Sequence, residues 1–314
     1  MADARTRAGA AEAPAGLRLA ALQRRFGLAG WLLPAYGVMF GISAYPLMYN
    51  LVTSFYGEAP VGHAPPFVGF SNYAAIASDP AFAASVGHTL MWTGGVVALS
   101  FGIGLGLALL LNVPFPGVNV TRVLFLIPWL TPSIASAIIW RYMYNTDYGI
   151  INLGLQRFGL GFLASGWITN PSVSLFSAMM VQVWRTYGFY MIMLLGALQA
   201  VPREMIEAAV VDGARSWQRF WSVVLPQLQP VIVMVLLLDI IWASNNFDTI
   251  YVVTGGGPLL SSETVPLYVY FTAFQDSHLP QAAAGSVMLF VIALVLIGAY
   301  LAALLRLRGR EEAL

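Results

Sequence analysis

The sequence predicts an all-α membrane protein with six transmembrane helices, and three observations lead to this fold class. Of the 314 residues, 59% are hydrophobic and only 9% are charged, whereas a soluble domain carries about 25% charged residues. Long runs without charge recur along the chain, and each can supply the roughly 20 residues that a helix needs to cross a bilayer. The Arg residues are concentrated in alternate segments between these runs, as the positive-inside rule describes.

The six helices are expected in apolar stretches that are separated by polar, Pro- and Gly-rich segments. The third stretch contains Pro128 and Pro132, which predict a kink. Residues 1–27 are rich in Ala and Arg and predict a disordered cytoplasmic tail, and 307–314 form a second tail, so that 28–306 is one membrane domain. The helices are expected within 26–57, 86–111, 120–143, 172–199, 229–248 and 283–305.

The Arg distribution predicts the orientation of these helices in the membrane. If the N-terminus is cytoplasmic, twelve of the fifteen Arg residues lie in cytoplasmic segments, and only Arg141 and Arg157 lie outside. Both termini and the segment after the fourth helix are then cytoplasmic. The loops expected on the outer side are 58–85, 145–171 and 250–281.

The composition excludes several kinds of site. Cysteine is absent, which rules out disulfides, thiolate metal ligands and a cysteine nucleophile. Lysine is absent as well, so the chain lacks the Lys that a P-loop uses to reach nucleotide phosphates. We therefore expect no catalytic residues, no metal and no cofactor in this chain, and any ATP and Mg would be bound by a partner subunit. We expect no nucleic acid partner.

The segment 202–226 is a polar island between two apolar runs. Pro202 suits the first turn of a helix, and apolar residues then recur at helical spacing, which predicts a short amphipathic helix. Gly213 permits a bend, and Pro226 is expected to end the element. This segment is either a docking element for a soluble partner or an ordinary solvated loop.

The same segment resembles the E-A-A–x3–G–x9–I–x–L–P loop of ABC-importer permeases, with Val223 in place of the usual Ile. The resemblance implies the type I importer permease fold, in which this loop forms coupling helices that sit in a cleft of the ATPase subunit. The implied partners are a second homologous permease, a dimer of ATP-binding subunits, an extracytoplasmic sugar-binding protein and the lipid bilayer. The residues that it nominates for ATPase coupling are Glu207, Ala208, Ala209, Asp212, Gly213 and Pro226.

Arg185 is the strongest candidate for a residue that contacts a transported solute. A charge at the centre of a transmembrane helix costs on the order of 2.5–3.5 kcal/mol on insertion scales, so such residues are usually functional. Aromatic and hydroxyl side chains follow it at helical spacing, which suits the apolar faces and hydroxyl rim of a sugar. The alternatives are that Arg185 reaches a membrane interface or pairs with Asp239 for structure.

A second polar cluster follows the fifth apolar run and contains Trp242, Asn245, Asn246 and Asp248. Its amides suit hydroxyl recognition, although Asn also bonds helices together in membranes. The stretch 245–258, N-N-F-D-T-I-Y-V-V-T-G-G-G-P, resembles a motif of carbohydrate-importer permeases of the maltose and glycerol-phosphate type. By position this resemblance nominates as substrate-binding residues Arg185, Thr186, Phe189, Tyr190, Asn245 and Asp248.

Two of these positions depart from the maltose permease, because Asp248 replaces an Asn and Arg185 replaces an apolar residue. We therefore expect a permease subunit of an ATP-driven importer for a carbohydrate, with a disaccharide such as trehalose as the first candidate. The Ala-rich, Lys-free composition suggests an actinobacterial source. The alternative is a stand-alone secondary transporter of a polar solute.

Overall fold

The computed structural model describes residues 15–60 and 62–311. These ranges form thirteen α-helices, joined by turns and loops, with an isolated β-bridge between Tyr56 and Phe67. The helices are α1 (Ala15–Thr53), α2 (Ser71–Ala77), α3 (Pro80–Leu111), α4 (Val118–Leu130), α5 (Ser133–Met143), α6 (Ile150–Arg157), α7 (Ser174–Ala200), α8 (Arg203–Val211), α9 (Ser216–Arg219), α10 (Leu225–Ser244), α11 (Asp248–Val253), α12 (Val265–Phe274) and α13 (Leu279–Glu311).

The two predicted tails are partly helical. Helix α1 begins at Ala15, so the prediction of disorder was wrong for residues 15–27, and residues 1–14 lie outside the described ranges. Helix α13 likewise continues through 307–311 of the expected C-terminal tail, and the last three residues are not described. The chain divides into two units after Val52, and the larger unit contains α2 to α13.

Four helical stretches in the described part of the chain are long and apolar enough to cross a membrane: 32–53, 80–111, 216–244 and 279–302. Two further pairs of helices meet this criterion together but are bent, α4 with α5 by 93° and α7 with α8 by 68°. The number reaches the expected six if each bent pair counts as one span.

The bend between α4 and α5 confirms the expected kink and has a local cause. Thr131 has ψ 134° and Pro132 has ψ 139°, so both have left the helical region. A residue that precedes proline is driven toward extended conformations because the proline ring clashes with it. Pro132 therefore stops α4 and lets α5 start in a new direction.

Helices α3 and α7 form the centre of the larger unit. Gly104 allows the two helices to approach closely, since a Cβ at this position would lie 3.0 Å from the amide nitrogen of Met191. Around this contact, buried side chains form two clusters. The first contains Trp92, Ala178 and Ile250 and joins α3, α7 and α11. The second joins α3, α7 and α10 near the α8 end of the bundle.

The segment 202–226 contains more structure than a single short helix. Helix α8 ends at a turn, and α9 then leads through a π-helical turn, Phe220–Val224, directly into α10. The sequence had predicted that Pro226 ends this element, and that prediction was wrong, because the helix continues through Pro226 into α10. A π turn shifts hydrogen bonding from i−4 to i−5, as the bond from Leu225 N–H to the Phe220 carbonyl shows. This wider turn accommodates the missing N–H of Pro226.

The predicted outer loops also contain helices, namely α2, α6 and α12. Helix α12 is short and apolar, and its buried residues Val265 and Leu267 belong to two core clusters. Its length of ten residues is too short to cross a bilayer. The fifth predicted helix ends earlier than expected, at Ser244, and Asp248 starts the separate helix α11.

Candidate functional site

A cavity of about 180 Å³ lies where the break between α4 and α5 meets α7, α10 and α11. The break brings Trp129, near the end of α4, and Ser133, the first residue of α5, to the same cavity wall. Two indole rings and seven side chains with hydrogen-bonding atoms form the walls. They are Trp129, Ser133, Gln182, Arg185, Thr186, Asp239, Trp242, Asn246 and Asp248.

Gln182 is the hydrogen-bonding centre of the cavity wall. Its side-chain oxygen accepts from the Thr249 hydroxyl at 2.9 Å and from the Asn246 amide at 3.3 Å. An Nη1 atom of Arg185 lies 3.5 Å from the same oxygen. The Gln182 amide in turn donates to the Thr186 hydroxyl at 3.2 Å. One buried side chain thus links α7 to α11 and holds three polar groups of the site in place.

Three polar atoms of the cavity-lining residues are buried and have no hydrogen-bond partner among the residues that the structure describes: Nε of Arg185, Oδ1 of Asp239 and Oδ1 of Asn246. The other carboxylate oxygen of Asp239 accepts from the Tyr190 hydroxyl at 2.9 Å, so Asp239 does not pair with Arg185 as one alternative proposed. Buried polar atoms nearly always have partners in folded proteins. These three atoms, one donor and two acceptors, thus belong to residues of the cavity wall and retain unused hydrogen-bonding capacity.

Aromatic rings form the apolar part of this region. The ring of Phe189 lies 5.3 Å from that of Trp242 and 5.8 Å from that of Trp129, measured between centroids. Phe189 is buried, whereas Trp129 and Trp242 are exposed and line the cavity. The Phe189 ring therefore packs against both indoles from the protein interior and fixes the orientation of the indole faces that line the cavity.

Asp248 lies at the start of α11 and is exposed. Its Oδ2 accepts a hydrogen bond from the Ser133 hydroxyl at 3.0 Å, which ties α11 to the first turn of α5. Arg185 is the basic residue of the cavity wall, and no ion pair joins it to Asp239 or Asp248. The cavity thus contains both a donor cation and acceptor carboxylates that retain free hydrogen-bonding capacity.

The structure brings together three of the six predicted substrate residues, since Arg185, Thr186 and Asp248 all line the cavity. Phe189 and Tyr190 lie directly behind it, through their contacts with Trp242 and Asp239. Asn245 lies outside: it is exposed and donates to the Ile241 carbonyl at the end of α10. The neighbouring Asn246 lines the cavity instead.

Sequence reasoning missed Gln182, Trp129 and Ser133. Gln182 could have been found, because it lies three and four residues before Arg185 and Thr186 and therefore on the same helix face. Trp129 and Ser133 come from a helix pair that is distant in sequence, and only the bend at Pro132 directs them to this place. Among the residues that the structure describes, no group of three or more His, Asp or Glu could hold a metal ion.

The second candidate surface is the turn after α8. Helix α8 ends in a Schellman motif, with Ala214 N–H donating to the Ala209 carbonyl at 2.9 Å and Gly213 N–H donating to the Val210 carbonyl at 3.0 Å. Gly213 has φ +79°, a conformation that other residues rarely adopt. The predicted coupling residues other than the half-buried Ala209 are exposed: Glu207, Ala208, Asp212, Gly213 and Pro226.

Large apolar side chains border this turn. Val211 is 87% exposed, and the rings of Trp217 and Trp221 lie 5.2 Å apart in an edge-to-face arrangement beside it in sequence. No residue of α8, α9 or the π turn is buried. An exposed helix end with apolar side chains is typical of a surface that contacts another protein.

The sequence pattern of a family described as "Binding-protein-dependent transport system inner membrane component" matches residues 98–309, more than half of the chain. The chain belongs to this family. Its members are the permease subunits of ABC transporters, in which nucleotide is bound and hydrolysed by partner ATPases. The permease is therefore not an enzyme and has no cofactor of its own. Its long apolar helices make it a multi-pass membrane protein.

Several relatives are similar to the permease over most of their length. The permease is 34% identical to the sulfoquinovosyl glycerol transport system permease protein SmoG of Agrobacterium fabrum, over 86% of this chain and 87% of the relative. It is 37% identical to the inner membrane ABC transporter permease protein YcjO of Escherichia coli, over 83% and 88%. The trehalose/maltose transport system permease protein MalF of Thermococcus litoralis is 35% identical, over 84% and 88%.

A solved structure has the same fold as the permease. A chain of the bacterial ABC transporter involved in the import of the acidic polysaccharide alginate superimposes with a TM-score of 0.78 at 22% identity, covering 92% of the permease and 99% of that chain. Another structure of the alginate transporter, in complex with alginate pentasaccharide-bound periplasmic protein, gives a TM-score of 0.75. These likenesses and the family match confirm the expected all-α permease fold.

Proposed function

We propose that the permease forms one half of the membrane pathway of an ATP-driven importer that moves a carbohydrate into the cytoplasm, with a disaccharide such as trehalose as the first candidate. The observation that carries this proposal is the cavity of about 180 Å³, whose walls combine indole rings with buried, unpartnered donors and acceptors. A sugar offers both apolar C–H faces and hydroxyls, so it can use both kinds of wall. The names of relatives from Agrobacterium fabrum and Thermococcus litoralis support a glycoside.

In this proposal the cavity is the substrate site of the permease. Hydroxyls of the solute donate to Oδ1 of Asp239 and Oδ1 of Asn246 and accept from Nε of Arg185, the three buried atoms for which the described part of the chain offers no partner. Trp129 and Trp242 pack against the sugar ring. Thr186 and Asp248 complete the rim, and Phe189 and Tyr190 hold the wall from behind.

We further propose that both termini and the turn after α8 face the cytoplasm, as the Arg distribution predicts. The ATPase dimer then binds the exposed turn of Glu207–Gly213. When ATP binding closes the dimer, the turn moves with it. A second homologous permease supplies the other half of the pathway. A sugar-binding protein delivers the solute from outside, which the solved complex of the alginate transporter with its periplasmic protein supports by analogy of fold.

The test is uptake by the complete importer, reconstituted in liposomes with the second permease, the ATPase and the sugar-binding protein. We expect ATP-dependent accumulation of a labelled disaccharide, with trehalose and maltose as the first solutes to compare. Accumulation by this chain alone, driven by a proton or sodium gradient, would contradict the proposal and favour the secondary transporter. Binding of a panel of sugars to the purified sugar-binding protein would identify the solute.

A further inference from the structure

The acidic and basic groups of the cavity wall are unequal in number. Asp239 and Asp248 supply two carboxyl groups, and Arg185 supplies the one guanidinium among the described residues that line the cavity. The charge of Asp248 acts on Arg185 through space, although no ion pair joins these two residues. The guanidinium is therefore already compensated from within the wall, and the wall has no surplus positive charge with which to hold an anionic solute.

The unused hydrogen-bonding capacity of the wall is unequal as well. Oδ1 of Asp239 and Oδ1 of Asn246 are buried acceptors for which the described residues provide no donor, whereas Nε of Arg185 is the corresponding donor. The direction of the Asn246 oxygen is fixed, because the amide nitrogen donates to Gln182 at 3.3 Å. A buried acceptor without a donor is costly. A solute that fills the cavity must therefore donate at least as many hydrogen bonds as these two oxygens require.

A neutral sugar and a sugar acid differ in both of these respects. The hydroxyl of a hydroxymethyl group donates a hydrogen bond and carries no charge, whereas the carboxylate of a uronic acid only accepts. Such a carboxylate would be repelled by the wall carboxylates in a site from which water is largely removed. Arg185 alone would attract an acid, but Asp248 competes for the same guanidinium. Both the charge and the donor count thus favour the neutral sugar.

We infer that the cavity selects neutral glycosides over sugar acids, and that Asp239 and Asp248 are the specificity-determining residues that exclude the acid. This inference rests on the proposed function, which makes the cavity the substrate site, and it narrows the class of substrate. Asp239 is fully buried in α10, whereas Asp248 is exposed at the start of α11. The two carboxyl groups therefore belong to different elements and can be removed one at a time.

The test compares two probes that differ in one group, methyl α-D-glucoside and methyl α-D-glucuronide. Saturation-transfer NMR titrations measure the affinity of each probe for the complete complex in nanodiscs. We expect the unaltered complex to bind the glucoside about tenfold more tightly, and Asp248→Asn to reduce this ratio about fivefold. Asparagine removes the charge and keeps an oxygen that can accept from Ser133. The ratio is informative because a general loss of structure lowers both affinities together.

A second variant and a control complete the experiment. Asp239→Asn removes the buried carboxyl group, keeps an acceptor for the Tyr190 hydroxyl and should reduce the ratio in the same direction. The control Asp147→Asn removes an exposed carboxylate from the segment between α5 and α6. It makes the same change of net charge away from the cavity and should leave the ratio unaltered.

Three results would overturn the inference. An unaltered complex that binds the glucuronide as tightly as the glucoside would show that the cavity does not exclude acids. An unchanged ratio in both cavity variants would assign the selection to the second permease. An equal fall in the Asp147→Asn control would show that net charge, and not the cavity wall, sets the ratio. Binding of neither probe, together with no accumulation of trehalose or maltose by the unaltered importer, would contradict the proposed function itself.

Discussion

At the scale of single residues, Gln182 is the side chain on which the geometry of the cavity depends most. Its oxygen accepts from Thr249 and Asn246 and its amide donates to Thr186, so it serves three polar groups at once. Removal of one partner from a buried polar group costs about 1–3 kcal/mol. The positions of these polar groups at the cavity are therefore tied to one amide.

We predict that Gln182→Leu raises the KM for solute uptake by at least tenfold, because the Asn246 amide and the Thr249 hydroxyl lose their shared acceptor. A loss of about 1.4 kcal/mol in binding corresponds to this factor. Uptake rates over a range of solute concentrations in reconstituted liposomes would separate KM from the maximal rate. The control Gln275→Leu changes an exposed residue after α12 and should leave KM unaltered. An unchanged KM in Gln182→Leu would refute the role of this side chain.

Glu263 predicts a pH dependence of stability. Burial raises the pKa of its carboxyl group, the Ser85 hydrogen bond lowers it, and the nearby charges of Asp79 and Asp276 raise it further, with a net rise above the ordinary value. The folded state thus holds this proton more tightly than the unfolded chain does. The stabilisation from Glu263 is complete below the ordinary carboxyl pKa of about 4.3 and is lost as the pH rises through the folded pKa.

We therefore predict that Glu263→Gln stabilises the permease at pH 8 relative to the unaltered protein and has little effect at pH 4. The substitution keeps an oxygen that can accept from Ser85. Thermal unfolding of the detergent-purified protein at both pH values would measure the difference. The exposed Glu204 provides the control Glu204→Gln. Equal effects of Glu263→Gln at the two pH values would disprove the assignment.

From the sequence, candidate residues could be placed together at one cavity where they lie on one helix. The rarity of charge in an apolar helix directed attention to Arg185, and Thr186 followed from adjacency. The sequence favoured Asn245, but Asn246 lines the cavity, because the helix ends at Ser244 and the 3.6-residue period no longer applies beyond it. Trp129 could not be predicted, since its contribution depends on the 93° bend and on packing between distant segments.

At the scale of elements, the turn after α8 gives the sharpest test of the coupling proposal. Gly213 has φ +79°, and no atom outside its immediate neighbours lies within 4 Å of a Cβ built on it. A side chain at this position would therefore strain the backbone by about 1–2 kcal/mol without a clash inside the chain. Any larger effect must come from a partner that approaches the glycine.

We predict that Gly213→Glu abolishes ATP-driven uptake while membrane insertion persists, because a long charged side chain would obstruct the contact with the ATPase. Gly213→Asn tolerates the left-handed backbone better and should retain part of the activity. Uptake assays would measure transport, and co-purification of the ATPase with each variant would measure the contact between the two subunits. Gly196→Ala, within α7 and with open space around it, is the control. Full uptake by Gly213→Glu would remove the mechanism from this turn.

Element boundaries show where sequence patterns lose information. The Pro-induced kink and the glycine bend were predictable, because each follows from the backbone chemistry of one residue. The sequence did not predict that α1 begins at Ala15. The Ala- and Arg-rich composition of this segment was taken as a sign of disorder, although Ala, Leu and Arg all have high helix propensity. The π turn before Pro226 was missed because it depends on how a missing N–H is accommodated locally.

At the scale of the whole molecule, the proposed orientation can be tested by chemical labelling. The chain contains no cysteine, so a single introduced thiol is the only reactive one. Phe158 between α6 and α7 is 82% exposed, and Val211 at the end of α8 is 87% exposed. These two positions are proposed to lie on opposite sides of the membrane.

In cells that express the permease without its ATPase, which would cover Val211, we predict that a membrane-impermeant maleimide labels Phe158→Cys in intact cells and labels Val211→Cys only after permeabilisation. Labelling of the purified denatured variants would verify that both thiols react. The unaltered chain, which should remain unlabelled, provides the background. Labelling of Val211→Cys from outside would reverse the orientation, and the turn after α8 could then not reach a cytoplasmic ATPase.

The continuous helix 216–244 also has a mechanical consequence. Trp217 and Trp242 are separated by 25 residues of this stretch, or roughly 38 Å at 1.5 Å per residue, and the stretch contains a π turn and two prolines, Pro226 and Pro230. The wider turn at Phe220–Val224 sets the angular phase between these ends, and deletion of one residue there would turn the cavity-lining side of the helix by about 100°. A movement of the Trp217–Trp221 pair would thus reach Trp242 and the cavity wall through one helical stretch, with the π turn and the two prolines as the points at which that stretch can flex.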